Sequence, residues 1–306
     1  MSASSPFAQK LSAIPVVRHE IDVLGSRTAY WIYGDEDARD TVVISHGYRG
    51  EHHGLEPVIA QLPGVRFISP DLPGFGESTP MTDAPHSIDG YARWLSAFVD
   101  KLGLTGDAII LGHSFGTITS TAALAGGLQT PALILINPIS VPGMDGPRPF
   151  ATRITVWYYK LAGLLPERIG LALLRSPVIV QFMSVSLVKT RDRALRKWIH
   201  REHHTYFSRF SDRDTVVEAF TASVSHNVSD FAADVSVPTL LVAAELDDIT
   251  PVAAHRPVAD AIGDARLVIL PDVGHLIHYE KPAEAAAAIR DFLDELNITP
   301  PEPRTT

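Results

Sequence analysis

Gly112-His113-Ser114-Phe115-Gly116 limits what this chain can fold into more than any other stretch. It follows an unbroken apolar run, Ala108 to Leu111, and precedes a run of small residues, Thr117 to Ala125. The first run reads as a buried strand and the second as a helix. A G-x-S-x-G sequence between them reads as a tight strand-to-helix turn. Small residues at both flanks let neighbouring chains approach the turn, and the turn pushes the Ser114 hydroxyl out above the sheet. The helix N-terminus behind it favours developing negative charge. Five residues alone are a weak signal; their position between strand and helix gives them weight.

A serine hydroxyl is a poor nucleophile without a base. Asp272-Val-Gly-His275 lies just past the apolar run Arg266 to Leu270, in a loop from which His275 can reach over the sheet edge. Alone it reads equally well as a surface histidine; beside the serine turn, the base role is favoured. An imidazole base needs an acid to fix its tautomer. The run Thr239 to Ala243 leads into Ala244-Glu-Leu-Asp247-Asp248-Ile-Thr-Pro251, where either aspartate can serve or can cap the helix near Pro251.

Elsewhere, strand-like runs alternate with helical patterns, the signature of a mainly parallel sheet. Val16 to Tyr33 reads as two strands turning near Gly25, and Thr41 to Ser45 as a third that ends in His46-Gly47. Arg66 to Ser69 ends in Asp71-Leu-Pro-Gly74, and Ala132 to Ile136 is stopped by Asn137-Pro138. Ile88, Tyr91, Leu95, Phe98 and Leu102 recur at helical spacing. From about Pro138 to Asp234 no strand pattern is clear, and the charge changes. Between Arg148 and Arg213, thirteen Lys and Arg stand against four Asp and Glu, a net of +9; the whole chain is −9, which leaves −18 for the rest. The expected organisation is a lead over residues 1–15, a core over 16–138 and 234–296, a basic helical cap over 139–233 and a loose tail over 297–306.

The net charge of −9 argues against a nucleic-acid partner, since phosphate contacts need a basic face. The chain has no cysteine, which excludes disulfides, thiolate nucleophiles and cysteine-ligated zinc. That absence fits a cytoplasmic location. No secretory leader pattern opens the chain, and no uncharged apolar run of about 18 or more residues predicts a membrane span. The charged run Arg49, Glu51, His52 and His53 reads as a solvated loop near a pocket mouth rather than a metal site. His200, His203 and His204 lack an excess of nearby carboxylates, so no metal is expected there. No cofactor is expected, and no oligomeric state is implied.

His46-Gly47, Asp71-Leu-Pro-Gly-Phe-Gly-Glu-Ser78, the 112–116 motif, Asp247 and Gly274-His275 together resemble the α/β-hydrolase superfamily, in its capped serine hydrolase branch. The resemblance covers nearly all of residues 16–296 outside the cap. It implies a mostly parallel, eight-stranded type of sheet flanked by helices, with an inserted helical cap. It also implies the order nucleophile, acid, histidine, here Ser114, Asp247 and His275. Relatives usually read G-x-x-D-x-x-x-P around the acid. Ala244 replaces the Gly, but Asp247 falls on the Asp and Pro251 on the Pro, which favours Asp247 over Asp248. Asn137 stands where some relatives carry the acid and cannot be that anion. The resemblance further implies an oxyanion hole made by the backbone N–H groups of Phe115 and Tyr48.

Tyr48, His113, Trp157 and Phe182 are the expected pocket residues. Ile154 to Tyr159 and Gly163 to Val188 are rich in apolar side chains, as in lids that line apolar pockets. The expected reaction is hydrolysis of a carboxylic ester of a small, largely apolar acyl substrate through an acyl-enzyme. The same triad also serves carbon–carbon bond hydrolysis or acyl transfer. A non-catalytic binding protein of this fold would usually have lost a triad member. The cap's +9 either attracts an anionic substrate or membrane surface, or balances the acidic core.

Overall fold

The computed structural model describes residues 5–298. Val16–Val23 (β1) and Ser26–Tyr33 (β2) form an antiparallel hairpin. Its turn residues, Leu24 and Gly25, both have positive φ (47° and 74°), as a two-residue turn between twisted strands requires. Six further strands follow: Asp40–Ser45 (β3), Val65–Pro70 (β4), Ile109–His113 (β5), Leu133–Ile136 (β6), Thr239–Ala244 (β7) and Ala265–Leu270 (β8). They form one sheet in the order β1-β2-β4-β3-β5-β6-β7-β8. β2 meets β4 antiparallel, and every pair from β4 to β8 is parallel. This is the expected fold.

The helices are Ala8–Leu11 (α1), Glu56–Ile59 (α2), Ile88–Lys101 (α3), Phe115–Ala125 (α4), Pro149–Leu164 (α5), Glu167–Leu174 (α6), Pro177–Leu187 (α7), Arg193–Tyr206 (α8), Arg213–Ser225 (α9), His255–Ile262 (α10), Ile277–Glu280 (α11) and Pro282–Ile298 (α12). Strand side chains alternate between two apolar layers. Val43, Ile110, Leu133 and Leu135 face α3, α4 and α10, packing with Tyr91, Trp94, Phe98 and Ile118. Val42, Ile44, Leu111, Ile134 and Ile136 face α2 and α12, packing with Val58, Ile289 and Phe292. Both faces of the parallel strands β3 to β7 are therefore covered, which is why they read as continuous apolar runs, while β8 at the sheet edge stays partly exposed. Ser87 opens α3 by accepting a hydrogen bond from Gly90 N.

The sheet order positions the site. From β3 the chain crosses to β4 on one side, then returns to β5 on the other. The C-terminal ends of β3 and β5 flank that reversal, where open parallel sheets form their ligand crevice. The turn after β3 carries Tyr48, and the turn after β5 carries Ser114.

Between β6 and β7 the chain forms α5 to α9, of which α5, α7, α8 and α9 line the cavity over this crevice. By length and composition, Glu167–Leu187 is apolar enough to cross a membrane. The fold divides it at Pro177, leaving helices of 8 and 11 residues. A span needs about 20 residues in one helix. At the C-terminus, Asn297 and Ile298 continue α12, so the helix outlasts the expected start of the tail. Residues 299–306 lie outside the described residues.

Candidate active site

Ser114 occupies the turn between β5 and α4 with φ 52° and ψ −117°, a backbone region that non-glycine residues rarely adopt. Its neighbours hold it there. Ser114 N donates to Ile136 O at 3.0 Å, and Thr117 donates to Ser114 O through both its amide and its hydroxyl. A Cβ on Gly116 would sit 1.8 Å from Ser45 O, and one on Gly112 would sit 2.5 Å from Gly116 O. Both glycines are needed for close backbone approach, not for a left-handed conformation.

Ser114 Oγ lies 2.7 Å from His275 Nε2, and His275 Nδ1 lies 2.8 Å from Asp247 Oδ2. An ionised carboxylate only accepts, so Nδ1 carries the proton and Nε2 is the acceptor facing the hydroxyl. Asp247 is held by Asn137 Nδ2 at 3.2 Å and by Ile249 N at 2.8 Å. Burial opposes its ionisation, but the His275 ring and these donors outweigh burial and keep the carboxyl below its ordinary range. Asp248 points elsewhere, pairing with Lys189 and, at 3.1 Å, with Arg148. The structure thus brings Ser114, His275 and Asp247 together and leaves Asp248 on the cap side. Asn137, at φ 48° just past β6, touches both Asp247 and Gly274 O. Its role as a support for the acid was invisible in sequence; a polar residue that stops a buried strand was the available signal.

Gly47 brings the turn after β3 against this turn, since a Cβ there would lie 3.3 Å from Ser114 Cβ. The turn closes through Gly50 N and Gly47 O at 2.9 Å, with Arg49 at φ 58°. His46 orders it from below, its Nδ1 on Gly47 O and its Nε2 accepting from Leu72 N, both at 2.8 Å. The Tyr48 ring packs against Phe75, Phe115, Tyr159 and Phe220. Its hydroxyl donates to Val216 O of α9 at 2.9 Å, so the phenol is committed to the cap.

Arg49, Glu51 and His52 correct the expectation of a solvated loop: they are 1%, 2% and 3% exposed. Arg49 donates to Phe207 O, Tyr159 Oη and Leu174 O at 3.0, 3.1 and 2.8 Å, three partners in three cap segments. Glu51, His52 and His53 bring possible metal-ligand atoms within 4.8 Å of one another. Each of the three already has a protein partner. His52 Nδ1 bonds Asp71, His53 Nδ1 bonds Glu51, and Arg209 lies 3.6 Å from the second Glu51 oxygen. His200 and His203 both bond Ser184 Oγ, and His204 bonds Gln181, which joins α8 to α7.

A cavity of about 480 Å³ lies over Ser114 between core and cap. Its walls include Tyr48, Phe115, Ile139, Met183, Leu187, Phe207, Phe220 and Leu276. His113 also lines it, with its ring 4.2 Å from that of His278. Burial, aided by the neighbouring His275 and His46, pushes His113 down to about 3, so it is neutral. Phe182 lines the cavity from its rim. Trp157 does not line it, which corrects the expectation. α5 is apolar on two sides, and its Tyr159 and Ala162 side is the buried one. Trp157 lies about 200° around the helix from Tyr159 and is 70% exposed.

A family model described as "Alpha/beta hydrolase family" matches residues 42–289. The chain is 26% identical over 270 residues to 2-hydroxy-6-oxononadienedioate/2-hydroxy-6-oxononatrienedioate hydrolase 2 of Pseudomonas putida, spanning 84% of this chain and 88% of that protein. It is 23% identical over 279 residues to Lipase 3 of Moraxella sp. (strain TA144), spanning 87% and 81%. Among solved structures, a thermophilic esterase from Thermogutta terrifontis superposes with a TM-score of 0.71 at 22% identity, covering 92% of this chain and 99% of that one.

Proposed function

This chain belongs to the alpha/beta hydrolase family, and from that premise we propose that it hydrolyses a carboxylic ester of a largely apolar substrate through an acyl-enzyme on Ser114. His275 Nε2 takes the hydroxyl proton as Ser114 Oγ attacks the ester carbonyl carbon. Asp247 stabilises the imidazolium and holds its tautomer. The tetrahedral oxyanion is received by the N–H groups of Tyr48 and Phe115, each worth about 3 kcal/mol of barrier. His275 then gives its proton to the departing alkoxide. Water, deprotonated in turn by His275, releases the acid and restores Ser114.

The observation that carries this reading is the continuous Ser114–His275–Asp247 hydrogen-bond chain, 2.7 and 2.8 Å, opening on an apolar cavity. Carbon–carbon bond hydrolysis on the same residues is a second reading. It is favoured by the relative that acts on 2-hydroxy-6-oxononadienedioate and by Arg49, a cavity-lining cation without a carboxylate partner among the described residues. A panel of p-nitrophenyl esters of increasing chain length, run beside a 2-hydroxy-6-oxo-dienoate, separates the two. The ester reading expects turnover of the esters that disappears in Ser114→Ala. Turnover of the dienoate alone would overturn it.

A further inference from the structure

We propose that the outer face of α5 and α7 is a docking surface for an anionic lipid bilayer, set beside the mouth of the active-site cavity. On α5, Phe150, Ile154, Trp157, Leu161 and Leu164 recur at spacings of four and three, and each is more than half exposed. On α7, Val178, Phe182 and Val185 do the same. The inward side of α5, at Tyr159 and Ala162, is already buried. These helices are therefore apolar on the side that meets the core and again on the side that meets solvent. A stripe of this length is more than the scattered apolar residues of an ordinary surface. In the apolar stretch Glu167–Leu187, only 22% of the most apolar window is buried.

Charge selects the occupant. From Pro149 to Leu187, Arg153, Lys160, Arg168 and Arg175 stand against a single acid, Glu167. Arg153, Lys160 and Arg168 have no acidic partner among the described residues. A second copy docking through the same face would set two basic caps, each with the +9 counted between Arg148 and Arg213, against each other. An anionic bilayer attracts both features: lipid chains take the apolar stripe, and headgroups take the Lys and Arg around it. Trp157, with Lys160 Nζ 5.7 Å from its ring, is the amphipathic pairing that suits a membrane–water boundary. The break at Pro177 means these helices lie on the bilayer and do not cross it.

Placement ties the surface to the site. Ile154 and Phe182 belong both to the exposed face and to the wall of the cavity over Ser114. An apolar substrate dissolved in lipid reaches the cavity without crossing bulk water. Docking itself needs no chemistry at Ser114, so it stands or falls apart from the bond that is cleaved.

The test is co-sedimentation of the full chain with vesicles of phosphatidylcholine, with or without phosphatidylglycerol, read together with tryptophan emission. Trp157 is the exposed member of the four tryptophans, the other three being at most 8% exposed, so a blue shift reports its burial. Binding to the anionic vesicles is expected, with a blue shift and weakening by salt, and Ser114→Ala is expected to bind alike. Trp157→Glu and Phe182→Glu, both at exposed positions, are each expected to lower binding about tenfold with unchanged circular dichroism. Three results would overturn the proposal. Wild type ignores both vesicles; both variants bind as wild type does; or the chain forms a dimer in solution that Trp157→Glu dissociates.

Discussion

Arg49 Nε donates to the Phe207 carbonyl at 3.0 Å, and the guanidinium carbon lies 4.5 Å from the centre of the Phe207 ring. Arg49 follows Tyr48 in the turn beside Ser114, and Phe207 ends helix α8 of the cap. One side chain thus joins the turn after β3 to the helices above it. Its backbone is left-handed, a conformation costing roughly 1–2 kcal/mol in a non-glycine residue, and three cap hydrogen bonds hold it.

Arg49→Met should therefore loosen both lid and turn. It strands the buried Leu174 carbonyl and Tyr159 phenol, each worth about 1–3 kcal/mol, and the half-buried Phe207 carbonyl, so the melting temperature should drop by several degrees. On a short acetyl ester, kcat should fall about tenfold as the Tyr48 N–H loses its aim. Arg49→Lys should recover part of both. Melting curves and kcat from the same preparations check this; unchanged kcat in a destabilised Arg49→Met would make the residue a structural staple alone.

The two neighbouring aspartates should behave very differently. Asp247→Asn removes the anion that fixes the His275 tautomer, and kcat should fall by about 10³–10⁴-fold with little change in KM. Asp248→Asn breaks pairs with Lys189 and Arg148 at the cap. Partly exposed pairs of this kind contribute about 1 kcal/mol or less, and kcat should stay within roughly tenfold of wild type. Steady-state kinetics of both variants decides, and equal losses would reassign the acid.

Acid should destabilise the fold through its histidines. Burial pushes His113 and His203 down to about 3, His86 and His255 down to about 4, and His278 well below its ordinary value. The unfolded chain takes up these protons near 6.5, while the folded chain cannot until pH nears 4 or lower. Their contribution is complete above pH 6.5 and is lost as pH falls toward the folded values. Each such group adds about 1.4 kcal/mol of loss per pH unit in that window. Melting temperature followed from pH 7.5 to 5 should fall steeply below 6.5; a flat profile would mean these rings are hydrated or already charged.

The strands, their order of appearance and the Ser114 turn were legible because each is written locally, in apolar runs and turn residues a few positions long. Asp247 and His275 were legible through their placement just after two such runs. Arg49, Glu51 and His52 were not. Five consecutive residues with that much charge read as solvated; what holds Arg49 arrives from Tyr159, Leu174 and Phe207, more than a hundred positions later, while His52 is held by Asp71 and the Trp31 ring. Trp157 failed for a related reason. A helix apolar on two sides gives no periodic clue to which side turns inward, and here the choice fell to Tyr159 and Ala162. In sequence Asn137 shows as a strand stop and as a residue that cannot be the acid; its contact with Asp247 depends on the meeting of β6 and β7 loops.

The central claim is that the Ser114 hydroxyl is made nucleophilic by His275 and Asp247. Incubating the chain with a fluorophosphonate and mapping the adduct by tandem mass spectrometry tests it most directly. A single adduct on Ser114 is expected in wild type, none in Ser114→Ala, and much slower labelling in His275→Ala with the fold intact. An adduct on another serine, or an unlabelled wild-type chain that is fully folded, would contradict the account.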